Sequence, residues 1–117
     1  MTAEDHVERA RAALVEFLRG QGEWRTARAQ QWPEDPRNAR SAEALNELVS
    51  WIIELPDSDQ RLQQLATYYV DDNYFFPVGD KSILLASRYG FAFPPSPDRF
   101  IEAFLSVLLD ENTRDDH

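Results

Sequence analysis

A few residues in this chain have types that could carry chemistry. Gly79-Asp80-Lys81-Ser82 resembles the end of a phosphate-binding loop. The likeness fails on spacing. That loop needs a glycine directly before the lysine and another five residues earlier, so that backbone N–H groups surround a phosphate. Asp80 would set a negative charge where the phosphate belongs. Lys81 is the only lysine, and it reads as a surface partner of Asp80 or Asp72. Asp71-x-Asn73 begins like a calcium loop, but Phe75 stands where the third ligand should be and no glycine follows. It reads instead as a turn that ends a helix.

His6 and His117 are the only histidines, and neither has a second ligand at metal spacing. Neither sits beside a serine or threonine as a buried base would. Carboxylate chemistry would need a group whose pKa an apolar pocket has raised. Glu54, among Trp51, Ile53 and Leu55, and Asp72, between Tyr69 and Tyr74, are the two candidates; solvation at a helix end is the simpler reading of both. No catalytic, cofactor or metal constellation emerges, and no cofactor is expected. Enzymatic activity is the lowest-ranked expectation.

The distinctive stretch runs from Tyr68 to Pro95. It holds eight of the chain's fourteen aromatics, together with Lys81 and Arg88. Three uses are open. The rings fill a core. Alternatively, some of Tyr68, Tyr74, Phe75, Tyr89 and Phe91, with Arg88 beside them, form an interface for a protein partner or a second copy, because tyrosine, phenylalanine and arginine are enriched in such surfaces. The third use is an aromatic-lined pocket for a small apolar ligand. The leading expectation is a small acidic protein-interaction or regulatory module that works through the 68–93 surface. The small-molecule pocket is its alternative.

The net charge is −9. Neutralising phosphates requires Lys and Arg on one face, so neither nucleic acid nor an anionic membrane is an expected partner. The first 33 residues balance their charges, and the acidic excess lies beyond them. Arg19, Arg25 and Arg28, set against Glu23, form a small basic cluster that reads as a solvated surface. There is no cysteine, so disulfides are excluded. The charged start and the short longest apolar run, Ile83–Ala86, point to a cytoplasmic protein without a signal or membrane span. Eleven arginines against one lysine, with many alanines, suggest a GC-rich bacterial source.

The elements that must position these residues are helical. Val7, Ala10, Leu14, Phe17 and Leu18 recur at helical spacing, predicting a helix over about 3–19 that Gly20 and Gly22 end. Residues 23–32 predict a separate short helix, with Trp24 and Trp32 as lids on the core. Asp35-Pro36 reads as N-cap and first helical residue of a helix reaching Leu55, whose wide apolar face makes it central. Further helices are expected over 58–70, over Lys81–Tyr89 capped by Asp80, and from Ser96-Pro97-Asp98 onward. Segments 74–78 and 91–93 suggest a very short two-stranded ribbon. The expectation is one all-α domain, residues 1–112, of five or six helices around helix 36–55, followed by a disordered acidic tail at 113–117.

Overall fold

The longest element, α1 (Ala3–Gln31), runs without a break through both glycines that were expected to end it. In the computed structural model, residues 3–68, 79–91 and 96–115 are described, with side chains between 5 and 110 within those ranges. The glycines are tolerated because the second half of α1 is held by packing. Gly22 is buried, and a Cβ there would sit 3.8 Å from the Leu45 Cβ, an ordinary contact. Glycine weakens a helix by roughly 0.5–1 kcal/mol relative to alanine, and tertiary burial overrides that.

Four more helices follow: α2 (Pro36–Glu54), α3 (Gln60–Ala66), α4 (Asp80–Ser87) and α5 (Pro97–Asp115). The fold is all-α. α5 reaches into the stretch 113–117 that was read as a tail. The ribbon segments 74–78 and 92–93 lie outside the described residues, and Phe91 lies in a turn. None of the described helices is long and apolar enough to cross a membrane.

Side-chain capping explains the starts of α2 and α3, whereas α4 begins at Asp80 itself, the residue expected to cap it, with Gly79 as an N-cap that makes no side-chain bond. The Asp35 carboxylate accepts the Arg37 backbone N–H at 3.0 Å, with Pro36 at the first helical position as expected. The Arg37 side chain, aided by its backbone N–H, draws the Asp35 carboxyl down to about 2. The third helix starts two residues later than its predicted 58, because Asp59 is its N-cap. Burial alone would raise the Asp59 carboxyl, but hydrogen bonds from the Arg61 side chain and from the Leu62 and Arg61 backbone outweigh it, so its pKa is lowered. This helix also stops short of residue 70. The Thr67 and Tyr68 N–H groups bond back to Gln64 and Leu65, tightening the last turn. Seven residues do not hold a helix alone. Complete burial of Leu62 and Leu65, each worth about 2 kcal/mol, docks α3.

α1 packs against α2, α3 and α4, while α5 packs on α3 and α4. Leu14 and Leu18 of α1, Leu45, Leu48 and Ile52 of α2, and Ile101, Phe104 and Leu108 of α5 are fully buried in one core. α2 has the wide apolar face expected of it. One part meets α1, and another, at Ser41 and Ala44, meets the turn after α4.

Two arginines tie α1 to both ends of α2. Arg11 donates from Nη2 to the Leu55 carbonyl at 2.6 Å, pairs with Asp57 at 2.9 Å, and also pairs with Glu8. Arg25 was placed in a solvated cluster; only 7% of it is exposed. Its Nη1 donates to Asn38 Oδ1 at 2.8 Å and its Nε to the Ser87 carbonyl at 2.5 Å. The unbroken register of α1 explains the correction. Leu14, Leu18, Gly22 and Arg25 share the inward face, and Trp24 falls beside it. Trp24 and Trp32 are therefore 47% and 59% exposed instead of acting as core lids.

Candidate functional site

α4 and α5 lie antiparallel. Lys81, in the first turn of α4, pairs with Asp110 near the far end of α5 at 2.9 Å. At the other end the Tyr89 ring meets Phe100 edge-on, with centroids 5.1 Å apart. Lys81 thus reaches across to α5; Asp72, one of the two partners expected of it, lies outside the described residues.

Between the two helices runs a cleft of about 850 Å³. From α4 it takes Lys81, Leu84, Leu85 and Arg88, which recur at one-turn spacing on a single face. α5 contributes Arg99, Phe100, Ala103 and Val107, with Ser96 just before it. Tyr89 and Gly90 close one end. The floor is apolar, and Leu84 remains 49% exposed. Its volume is within the range of small-molecule sites.

The charges at this cleft are unusual for the chain. Three described lining residues are cationic and none is acidic, although the sequence holds 21 acids against 12 bases. Lys81 has Asp110. Among the described residues no carboxylate pairs with Arg88 or Arg99, and both are exposed.

The walls are fixed from behind. Phe100 stacks on Phe104 at 5.6 Å, and Phe104 meets Phe17 of α1 at 6.0 Å. Burial, with help from the Glu47 charge, pushes the Tyr89 hydroxyl up to about 12 against the opposing Ser96 backbone hydrogen bond, so it stays protonated at neutral pH. Gly90 takes φ +73°, and a Cβ there would lie 2.4 Å from the Ala44 Cβ. Only glycine fits that approach. Beside it the Ser41 hydroxyl donates to the Tyr89 carbonyl at 2.6 Å. Phe91 is held between guanidinium groups, with Arg25 at 4.4 Å and Arg37 at 4.8 Å from its ring centre. Burial, then the charges of Arg28 and Arg88, lower the Arg25 pKa.

The structure brings two of the predicted residues, Arg88 and Tyr89, into the cleft. Phe91 is turned into the junction with α1 and α2, and Tyr68 packs partly buried against the core. Tyr74 and Phe75 lie outside the described residues, as does the Asp71–Asn73 turn. Glu54 is exposed at the end of α2, and no group of described side chains could hold a metal ion. Sequence reasoning missed Leu84, Leu85, Arg99, Ala103 and Val107 as lining residues. The 81-84-85-88 spacing was a usable signal for one wall: two cations bracketing two leucines on one helical face. No protein-family model, curated protein or solved structure matches this chain.

Proposed function

We propose that this protein is a binding module without catalytic activity and that the α4–α5 cleft is its binding site, taking a small molecule with an apolar body. The observation that carries this reading is the cleft itself: an open apolar floor of Leu84, Leu85, Phe100, Ala103 and Val107 between two helices braced against the core. A roomy apolar pocket with a few convergent polar groups is the usual form of a ligand site. The expected site was aromatic-lined; the cleft supplies Tyr89 and Phe100 as its rings and aliphatic residues for the rest. A cytoplasmic setting is consistent with the acidic composition.

Nile red, a neutral apolar dye, tests the site. Its fluorescence should rise on mixing with the protein. Ala103→Trp, which places an indole in the cleft, should weaken that binding at least tenfold with the helical circular dichroism unchanged. Dye binding that survives the filled cleft would remove the proposal.

A second reading is a protein partner or self-association through the exposed surface of α4. It is favoured by Leu84 on the cleft side and Ile83 on the opposite flank, which are 49% and 42% exposed. Molar mass by light scattering separates the two. A stable dimer that Ile83→Asp dissolves would favour the second.

A further inference from the structure

Resting on the cleft reading, we infer that its ligand is a free amphiphilic carboxylate, an acid with an apolar tail, whose head is held by Arg88 and Arg99. The antiparallel packing gives the cleft two unlike ends. At one, Lys81 is already engaged by Asp110. At the other, Arg88 leaves the end of α4 and Arg99 stands in the first turn of α5, beside Ser96 and Tyr89. Between the ends the lining is apolar: Leu84 and Leu85 on one wall, Ala103 and Val107 on the other.

The head must be an anion. The described lining carries no acid, and no described carboxylate pairs with either arginine. The nearest acid in the α5 first turn, Asp98, is engaged by Arg61 at 2.7 Å. Arg88 and Arg99 line the same end of the cleft, and a guanidinium group donates paired N–H bonds to a carboxylate, so one bound carboxylate can be held from both helices. The tail must be apolar, because the floor offers it no polar partner. A membrane surface is a poor source for such a head, since the chain's net charge of −9 opposes approach to anionic lipid.

Octanoate, octanol and octylamine share one tail and differ in the head. Each is titrated against Nile red-loaded protein, and octanoate also by amide NMR. Octanoate should displace the dye at least tenfold more effectively than octanol, and octylamine less effectively still. Its amide shifts should centre on Leu84, Arg88, Arg99 and Ala103. The double variant Arg88→Gln/Arg99→Gln should lower octanoate to the level of octanol while octanol itself is unchanged, and Arg88→Lys/Arg99→Lys should recover part of the difference. Both arginines are exposed, so the variants should retain the fold, which circular dichroism checks.

Octanol matching octanoate would overturn the anionic head and leave the cleft standing. Failure of all three, together with failure of Nile red, would overturn the cleft reading itself. Arginine-dependent sedimentation with phosphatidylglycerol vesicles, without octanoate binding, would assign the head site to a lipid surface and overturn the free acid.

Discussion

The segment from Ser87 to Phe91 has two sides, built on opposite terms. On the side facing α1 and α2, two backbone carbonyls are bonded and the backbone is tightly seated. The Ser87 carbonyl accepts from Arg25, the Tyr89 carbonyl accepts from Ser41, and Gly90 lies against Ala44 with no room for a methyl group. On the side facing α5, Arg88 meets no described carboxylate and the cleft stays open. The difference separates the arginines by role. Arg25 is buried and bonded to two other parts of the fold, so it belongs to stability. Arg88 and Arg99 are exposed and uncommitted among the described residues, so the fold does not depend on them and they are available for the proposed recognition. Buried polar groups left unpaired are costly, whereas exposed cations are not, and this is why the two sides can differ.

Breaking the closed side should have the largest effect. Gly90→Ala combines a left-handed backbone with a 2.4 Å approach to Ala44, and a loss of about 3 kcal/mol is expected from the denaturant midpoint. Adding Ala44→Gly should return the part due to the clash and none of the part due to φ. A loss below about 0.5 kcal/mol, as at an ordinary surface site, would mean that the junction is not tightly seated. Arg25→Met comes next. It leaves Asn38 Oδ1 and the Ser87 carbonyl without their donor, for an expected loss of about 2 kcal/mol. Arg88→Gln should shift stability by no more than about 0.5 kcal/mol. If Arg88 proved as costly to remove as Arg25, the division of roles would fail.

The smallest effect is a pH dependence that reports the boundary between the two sides. The Tyr89 phenol is raised from 10.0 to about 12, chiefly by burial. The folded state therefore favours the protonated form. This contribution to stability is complete below the unfolded value near 10 and is lost as pH climbs through the folded value near 12. Phenolate absorbance should show one late-titrating component that Tyr89→Phe removes. Absence of that component would place the ring in water.

Much of the helical layout was legible. Asp35-Pro36 marked a helix start because its two requirements, an acceptor side chain and a residue that needs no N–H, are local. The continuity of α1 was not legible. Gly20 and Gly22 signal an end locally, and only contact with Leu45 and the burial of Arg25 outweigh them. The same long-range packing turned Trp24 outward. Half of the candidate site could be read from the α4 face alone. The rest comes from α5, outside the aromatic stretch, and nothing in local periodicity says which two helices will lie together.

The arginines that tie α1 to α2 set a limit on how this chain can change in length. Arg11 and Arg25 are separated by fourteen positions, about 21 Å along the helix and close to a whole number of turns, and they reach Leu55 and Asn38 at opposite ends of α2. One residue inserted between them would advance everything beyond it by about 1.5 Å and rotate it by about 100°. The two grips could not then both be kept. The spacing works as a phase lock, and tolerated insertions belong in the connections between helices.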